Sequence, residues 1–291
     1  MKKPLILVWF TAFVLITGQA SFPQQRNIQS IVVDGQAAPH QEWKVIWINR
    51  NPVLVQTTIL SRDGLQPSIS SSGGLPLAGA VDWKMNITTT VFWVGEQATD
   101  HNPVPNDKSA WDGGWLSSYG GYDNPAPGTR ANFIPADFLP RQNPFYVALP
   151  YNDVANHHTK PEVAQVIPWF RSSFVRDGQS ICKGEWVAIR HGHRVCYAQW
   201  EDVGPFATDD WQYVFGHERP HPNPNRDAGL DVSPAVRDYL GLVGVDLCDW
   251  KFVNFDQIPS GPWAIYGTNN TFVQLRHRKV NSFTGKTAAR E

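Results

Sequence analysis

Two aspartates stand where chemistry on a sugar bond could be done. Asp202 ends the run CYAQWED and precedes Val203-Gly204-Pro205-Phe206; Asp231 ends AGLD and precedes Val232-Ser233-Pro234. Each closes an apolar, strand-like run, one before a Gly-Pro turn and the other before a helix start. Cleavage of a glycosidic bond needs two carboxyls brought to one cleft from separate segments. One protonates the leaving oxygen, and the other supports the developing positive charge or activates water. Each aspartate also has an ordinary structural reading. Asp before Gly-Pro initiates turns, and a carboxylate near a helix N-terminus is favoured by the helix dipole.

Other residues mimic chemistry without its context. His217-Glu218-Arg219-Pro220-His221 spells H-E-x-x-H, a zinc-protease pattern that requires both histidines on one helical face. Pro220 lies inside that turn, with Pro222 and Pro224 just beyond. A proline in a helix interior costs about 3 kcal/mol or more, so the segment reads as a polar loop. His157-His158 and His191/His193 lack Cys or carboxylate partners at ligand spacing. Neither a metal nor a cofactor is expected.

The elements that must position the two acids are legible from punctuation. Glu185–Arg190 and Val195–Trp200 form a hairpin about His191-Gly192-His193, the second strand leading to Asp202. After Asp231, Ser233 suits an N-cap, Pro234 the first helical position, Ala235–Leu240 two turns and Gly241 the stop. Strands are expected at Ile87–Val94, Pro144–Leu149 and Leu247–Phe255. Residues 97–130 form a long loop carrying Trp111, Trp115, Tyr119 and Tyr122, a length that is usually functional or mobile.

Residues 1–20 read as a secretory signal peptide: Lys2-Lys3, an apolar core at Leu5–Ile16, and Gly18-Gln19-Ala20 as the cleavage site. The apolar run is too short to span a bilayer. A secreted or periplasmic protein with no membrane anchor after cleavage is the expectation. Residues 21–85 are expected to be a small β-rich extension and linker, with strands at Glu42–Ile48 and Val53–Leu60 around a turn at Asn49–Pro52. Residues 86–266 form the main domain and 267–291 a tail. A formal net charge of −1 argues against a nucleic-acid surface. Thirteen Trp, 23 Gly and 23 Pro point to a loop-rich β protein. Three cysteines in an oxidising compartment leave one unpaired. Cys182 and Cys196 are nearest and could clamp the hairpin, although the register is imperfect; pairing of Cys248 with either stays open.

The segment containing both aspartates resembles the double-psi β-barrel of the rare lipoprotein A, expansin and family 45 endoglucanase type. There a strand leads into D-R-G-P-F, and another ends I-D-L-S before a short helix ending L-G. The matching residues are Asp202-Val203-Gly204-Pro205-Phe206, Leu230-Asp231-Val232-Ser233 and Leu240-Gly241. Phe145–Asp153 looks like the family's second strand, and Trp93-Val94-Gly95-Glu96 like its opening strand. Val203 departs from the family's Arg, and the connection 207–228 is longer than usual. The resemblance covers 86–256 in outline and about fifty residues specifically.

The resemblance implies a mainly β fold, a six-stranded double-psi β-barrel with long loops and one or two short helices. It implies a glycan-active enzyme, lytic transglycosylase-like or glycoside hydrolase-like, acting on cell-wall polysaccharide such as peptidoglycan or β-1,4-glucan. The alternative is a non-catalytic, expansin-like wall-binding or wall-loosening protein. Asp231 takes the general-acid position and Asp202 the supporting one. Glu96 falls where endoglucanase relatives carry a base. Tyr151, Asn152, Asp153 and His217 are candidate cleft residues, and Trp111, Trp115 and Trp211 candidate stacking platforms for sugars.

Overall fold

The computed structural model describes residues 40–48, 51–59, 82–99 and 104–278. The expected signal peptide lies outside them. Strands β1 (His40–Ile48) and β2 (Asn51–Ile59) form an antiparallel hairpin of their own, with His40 opposite Ile59 and Ile48 opposite Asn51. Asn51 and Pro52 therefore belong to the second strand and not to the turn.

Among the strands that follow, six build the main sheet: β3 (Lys84–Val91), β4 (Tyr146–Leu149), β5 (Trp186–His191), β6 (Arg194–Val203), β7 (Leu230–Val232) and β8 (Asp246–Phe252). They close into one barrel in the order β6-β4-β7-β3-β8-β5. Two neighbouring pairs, β6/β4 and β7/β3, are parallel, and the others antiparallel. The fold is mainly β with a few short helices, as the sequence reading anticipates. Closure removes the free sheet edges that an open arrangement of such short strands would expose.

Side chains alternate across the barrel wall, as the pleat requires. Val147, Leu149, Leu230 and Val232 enter the central core with Ile87, Trp200 and Trp250. The intervening Tyr146 and Ala148 face outward into a second cluster with Phe92, Val94, Trp115 and Tyr119. Trp115 and Tyr119 come from a short helix, α1 (Trp115–Tyr119), in the segment expected to be a long loop. Residues 104–130 are not structureless; Trp115 and Tyr119 pack them against the outer wall.

A buried polar chain ties the segment down. Tyr146 Oη accepts from the Val94 N–H at 3.0 Å and donates to Asp123 Oδ2 at 2.8 Å. Arg130 meets Asp123 at 2.5 Å and reaches Asp238 at 3.1 Å. Asp238 belongs to a helix, which with α2 (Trp211–Val214) before it is α3 (Pro234–Leu240). The fully buried Asp123 is thus satisfied on both carboxylate oxygens, as burial of a charge demands.

Helix α3 follows its sequence signals closely. Ser233 Oγ accepts from the Val236 N–H, Pro234 takes the first position, and Gly241 ends the helix in the left-handed region at φ 74°. Ser233 is buried and also faces the Tyr146 N–H at 3.4 Å.

The three cysteines are buried free thiols, so the expected Cys182–Cys196 bridge is not formed. The hairpin register explains this: Cys196 pairs with Ile189, while Cys182 lies before β5 begins. Residues 267–278, placed in the tail on sequence grounds, pack on the barrel. Asn269 contacts Asn143 and Glu201, and a helix spans 271–278.

Loss of the cap should be measurable in isolation. Ser233→Ala is expected to lower stability by about 1–2 kcal/mol, read as a shift in urea midpoint at unchanged slope. A change below a few tenths would mean that the cap does not hold α3.

Candidate active site

The site is built from one row of residues running across four strands. A bulge in β6 shifts the pairing with β4, so that Trp200 lies opposite Val147 and Asp202, not Glu201, lies opposite Ala148. On the other side of β4, Ala148 lies opposite Asp231, and Asp231 pairs with Thr90 of β3. Asp202, Ala148, Asp231 and Thr90 therefore sit side by side and line the same open groove, of about 960 Å³. Without the bulge the side-chain alternation would turn Asp202 to the opposite face. Two inter-strand spacings separate the aspartates, roughly 9–10 Å between their Cα atoms.

The small residues matter as much as the acids. Ala148 stands between the two carboxyls with only a methyl group, which leaves the floor of the groove open. At Gly204, which follows Asp202 by two residues, an added Cβ would lie 3.7 Å from Asp231 Oδ2 and 3.9 Å from the Ala148 side chain. Glycine here keeps the space above Asp231 free.

Each carboxyl has a distinct environment. Thr90 Oγ1 hydrogen-bonds Asp231 Oδ1. Burial pushes the Asp231 carboxyl up to about 8, with the nearby Glu96 and Asp202 charges adding to the effect. The start of α3 two residues on would favour the anion, and desolvation outweighs it. Asp202 Oδ1 accepts from the Ala110 N–H at 2.8 Å. Burial raises Asp202 only to about 6, because the backbone N–H groups of Ala110 and Val203 stabilise its anion. Asp231 is thus the weaker acid of the two and Asp202 the stronger. That division suits an acid and a base working as a pair. Glu201, displaced by the bulge, is buried and raised to about 7 chiefly by desolvation.

Glu96 lines the same groove and is bonded by Asn106 Nδ2 at 3.0 Å. Asn152 lines it too, its Oδ1 accepting from the Trp111 indole at 2.9 Å. The remaining sequence candidates lie elsewhere. Trp115 is 1% exposed and cannot offer a ring face to a sugar. Trp111 packs edge-on against Trp200, and Trp211 is partly buried against the central core; neither lines the groove. Tyr151 is buried and donates to Glu162 at 3.2 Å, and buried Asp153 holds the Ile181 N–H at 2.6 Å. Neither lines the groove. His217 lines a separate cavity, and the HERPH segment is not helical. His221 instead neighbours Asp210, whose Oδ2 accepts its backbone N–H.

Several groove residues have no clear signal in sequence. Thr90 and Ala148 sit in plain strand runs, and only strand pairing gives them their place beside Asp231. Phe206 and Val104 are exposed, 52% and 63%, at the groove wall. They are exposed apolar side chains in the groove lining. Phe206 lies in the Asp202–Phe206 motif and could have been singled out there.

The raised carboxyls carry a stability signature. Between about pH 4, where an ordinary Asp loses its proton, and about pH 8, folded Asp231 holds a proton that the unfolded chain has released. Stability should therefore fall as pH rises through that window, with Asp202 and Glu201 adding to the slope. Urea unfolding at pH 5 and pH 8 should show a smaller loss for Asp231→Asn than for the unaltered protein. Equal losses would mean that Asp231 titrates normally.

No protein family and no curated protein matches this chain in sequence. Among solved structures, the Streptomyces papain inhibitor (SPI) is similar over 60% of this chain and 97% of its own, with 16% identity and a TM-score of 0.25.

Proposed function

We propose that this protein is an exported, glycan-active enzyme that cleaves cell-wall polysaccharide, of the rare lipoprotein A, expansin and family 45 endoglucanase type. Asp231 is its general acid. The observation that carries the reading is the Asp202–Ala148–Asp231 row: two buried carboxyls, each shifted upward by desolvation, flanking a gap in an open groove. Asp231, protonated at neutral pH, donates its proton to the leaving glycosidic oxygen as the bond lengthens. Ionised Asp202 stabilises the oxocarbenium-like centre or takes a proton from the attacking hydroxyl.

The separation of the carboxyls bears on the outcome. Positions two strands apart fit the wider spacing, about 6.5–9.5 Å, that leaves room for a water and gives inversion, better than the close pair of retaining enzymes. If a sugar hydroxyl attacks instead, the product is an anhydro sugar, as in a lytic transglycosylase. The exposed Phe206 and Val104 favour a second reading, in which the groove binds and loosens glycan without cutting it.

Incubation with peptidoglycan sacculi and with β-1,4-glucan separates these readings. Asp231→Asn should lower product release from the preferred glycan by about 10²–10⁴-fold, and mass spectrometry of the ends distinguishes anhydro from reducing products. Undiminished release would overturn the acid assignment. Pull-down by insoluble glycan with no soluble product from the unaltered protein would favour the binding reading.

The rate should be bell-shaped in pH. It should fall below about 6 as Asp202 is protonated and above about 8 as Asp231 loses its proton. A rate that still rises beyond pH 9 would contradict this pairing of roles.

A further inference from the structure

A second cavity, of about 170 Å³, lies at the other end of β3 from the groove. Lys84 begins that strand and lines the cavity; Thr90, six residues on and roughly 20 Å along the strand, lines the groove. The two sites differ in charge. The groove is lined by four carboxyls, Glu96, Asp107, Asp202 and Asp231, and one amine, Lys108. The cavity is lined by three cations, Lys84, Arg219 and Lys251, with Asp82, Glu218 and His217.

Lys84 and Lys251 are part-buried and Arg219 is exposed, and each is oriented by groups that carry no negative charge. Lys84 Nζ donates to the Gly216 carbonyl at 2.8 Å and stands over the Tyr213 and Trp250 rings at 5.3 and 5.6 Å. Arg219 donates to the Met85 and Asn86 carbonyls, each at 2.6 Å. Lys251 lies over the Trp83 ring at 5.2 Å. Among the described residues, none of the three forms an ion pair with a carboxylate. Carbonyls and ring faces orient a cation but do not cancel it. An ammonium has three donors and a guanidinium five, so donors remain after these bonds. The other walls are apolar, including Ile87, Phe215, Trp250 and Phe252. Such walls lower the local dielectric and strengthen any charge pair formed inside.

We infer that this cavity is a binding site for a small oxyanion, a carboxylate or phosphate group, recognised by Lys84 and Arg219 with Lys251 at its edge. The apolar wall would take the body of a ligand that carries the anion. The site is independent of the acid groove and of the reading given to that groove. Burial lowers the Lys84 ammonium to about 8, with Asp210 opposing, and an anion in the cavity would restore its charge. Affinity should accordingly decline as pH rises past about 8. Asp82 and Glu218, which line the same cavity beside His217, oppose anion entry.

The test is titration of the full chain with sodium phosphate and with sodium benzoate at constant ionic strength, followed by calorimetry and by fluorescence of the wall residues Trp83 and Trp250. A saturable signal is expected, with phosphate favoured if the charge alone is read and benzoate if the apolar wall takes part. Lys84→Met and Arg219→Gln should each weaken binding roughly tenfold, the loss of one hydrogen bond to a charged group. Asp231→Asn should bind as the unaltered protein does. Absence of saturation with both anions would overturn the inference, as would unchanged affinity in both cation variants, each checked for folding by circular dichroism. Equal weakening by Asp231→Asn would move the binding to the groove and overturn it as well.

Discussion

Strand β4 is only four residues long, and it is hydrogen-bonded on one side to the strand that carries Asp202 and on the other to the strand that carries Asp231. Everything in the groove depends on that double pairing. It sets the lateral distance between the acids at two inter-strand spacings, and it puts Ala148 between them. The bulge in β6 is the other half of the constraint. One extra residue, Glu201, changes which side chain of the Glu201-Asp202 pair reaches the groove. The barrel then holds both acids on rigid, hydrogen-bonded backbone, which is the support that positioned chemistry needs.

The same row explains the electrostatics. The carboxyls lie on the outer wall, where an exposed acid would titrate normally. They are desolvated in the groove, whose lining includes residues 104–110 of a segment packed on that wall by Trp115 and Tyr119 and tied by the chain Tyr146–Asp123–Arg130–Asp238. Asp202 keeps two backbone donors and stays the stronger acid, whereas Asp231, beside two other carboxylates, becomes the weaker. Two chemically identical side chains are thus driven apart by their surroundings. Packing far from the groove is in this sense part of the site.

Charge is also distributed along the barrel. Acids gather where β3 and β7 end beside the Gly204-Pro205 turn, and cations gather where β3 begins. Side chains at the two ends of one strand meet different loops, so a single element serves two chemically opposed surfaces.

Local signals carried the short-range features because those are decided within a few residues. Ser233, Pro234 and Gly241 bound α3 by backbone chemistry that needs no partner, and the β5–β6 hairpin follows from its Gly192 turn. The Asp202-Val203-Gly204-Pro205-Phe206 and Leu230–Ser233 motifs were enough to single out the two acids and to suggest a closed six-stranded barrel. Composition cannot separate an indole that stacks a ligand from one that fills a core, and Trp115 is buried because α1 packs against Tyr146 and Phe92. Likewise Tyr151 and Asp153 have the residue types of a cleft, but both are buried, bonded to Glu162 and to the Ile181 N–H, and neither lines the groove. Strand pairing, the bulge at Glu201, the company of Thr90 and Ala148, the absence of a Cys182–Cys196 bridge and the cationic cavity around Lys84 were decided only in three dimensions. Each depends on contacts between residues tens of positions apart in the chain, and neither hydrophobic period nor turn chemistry encodes register at that range.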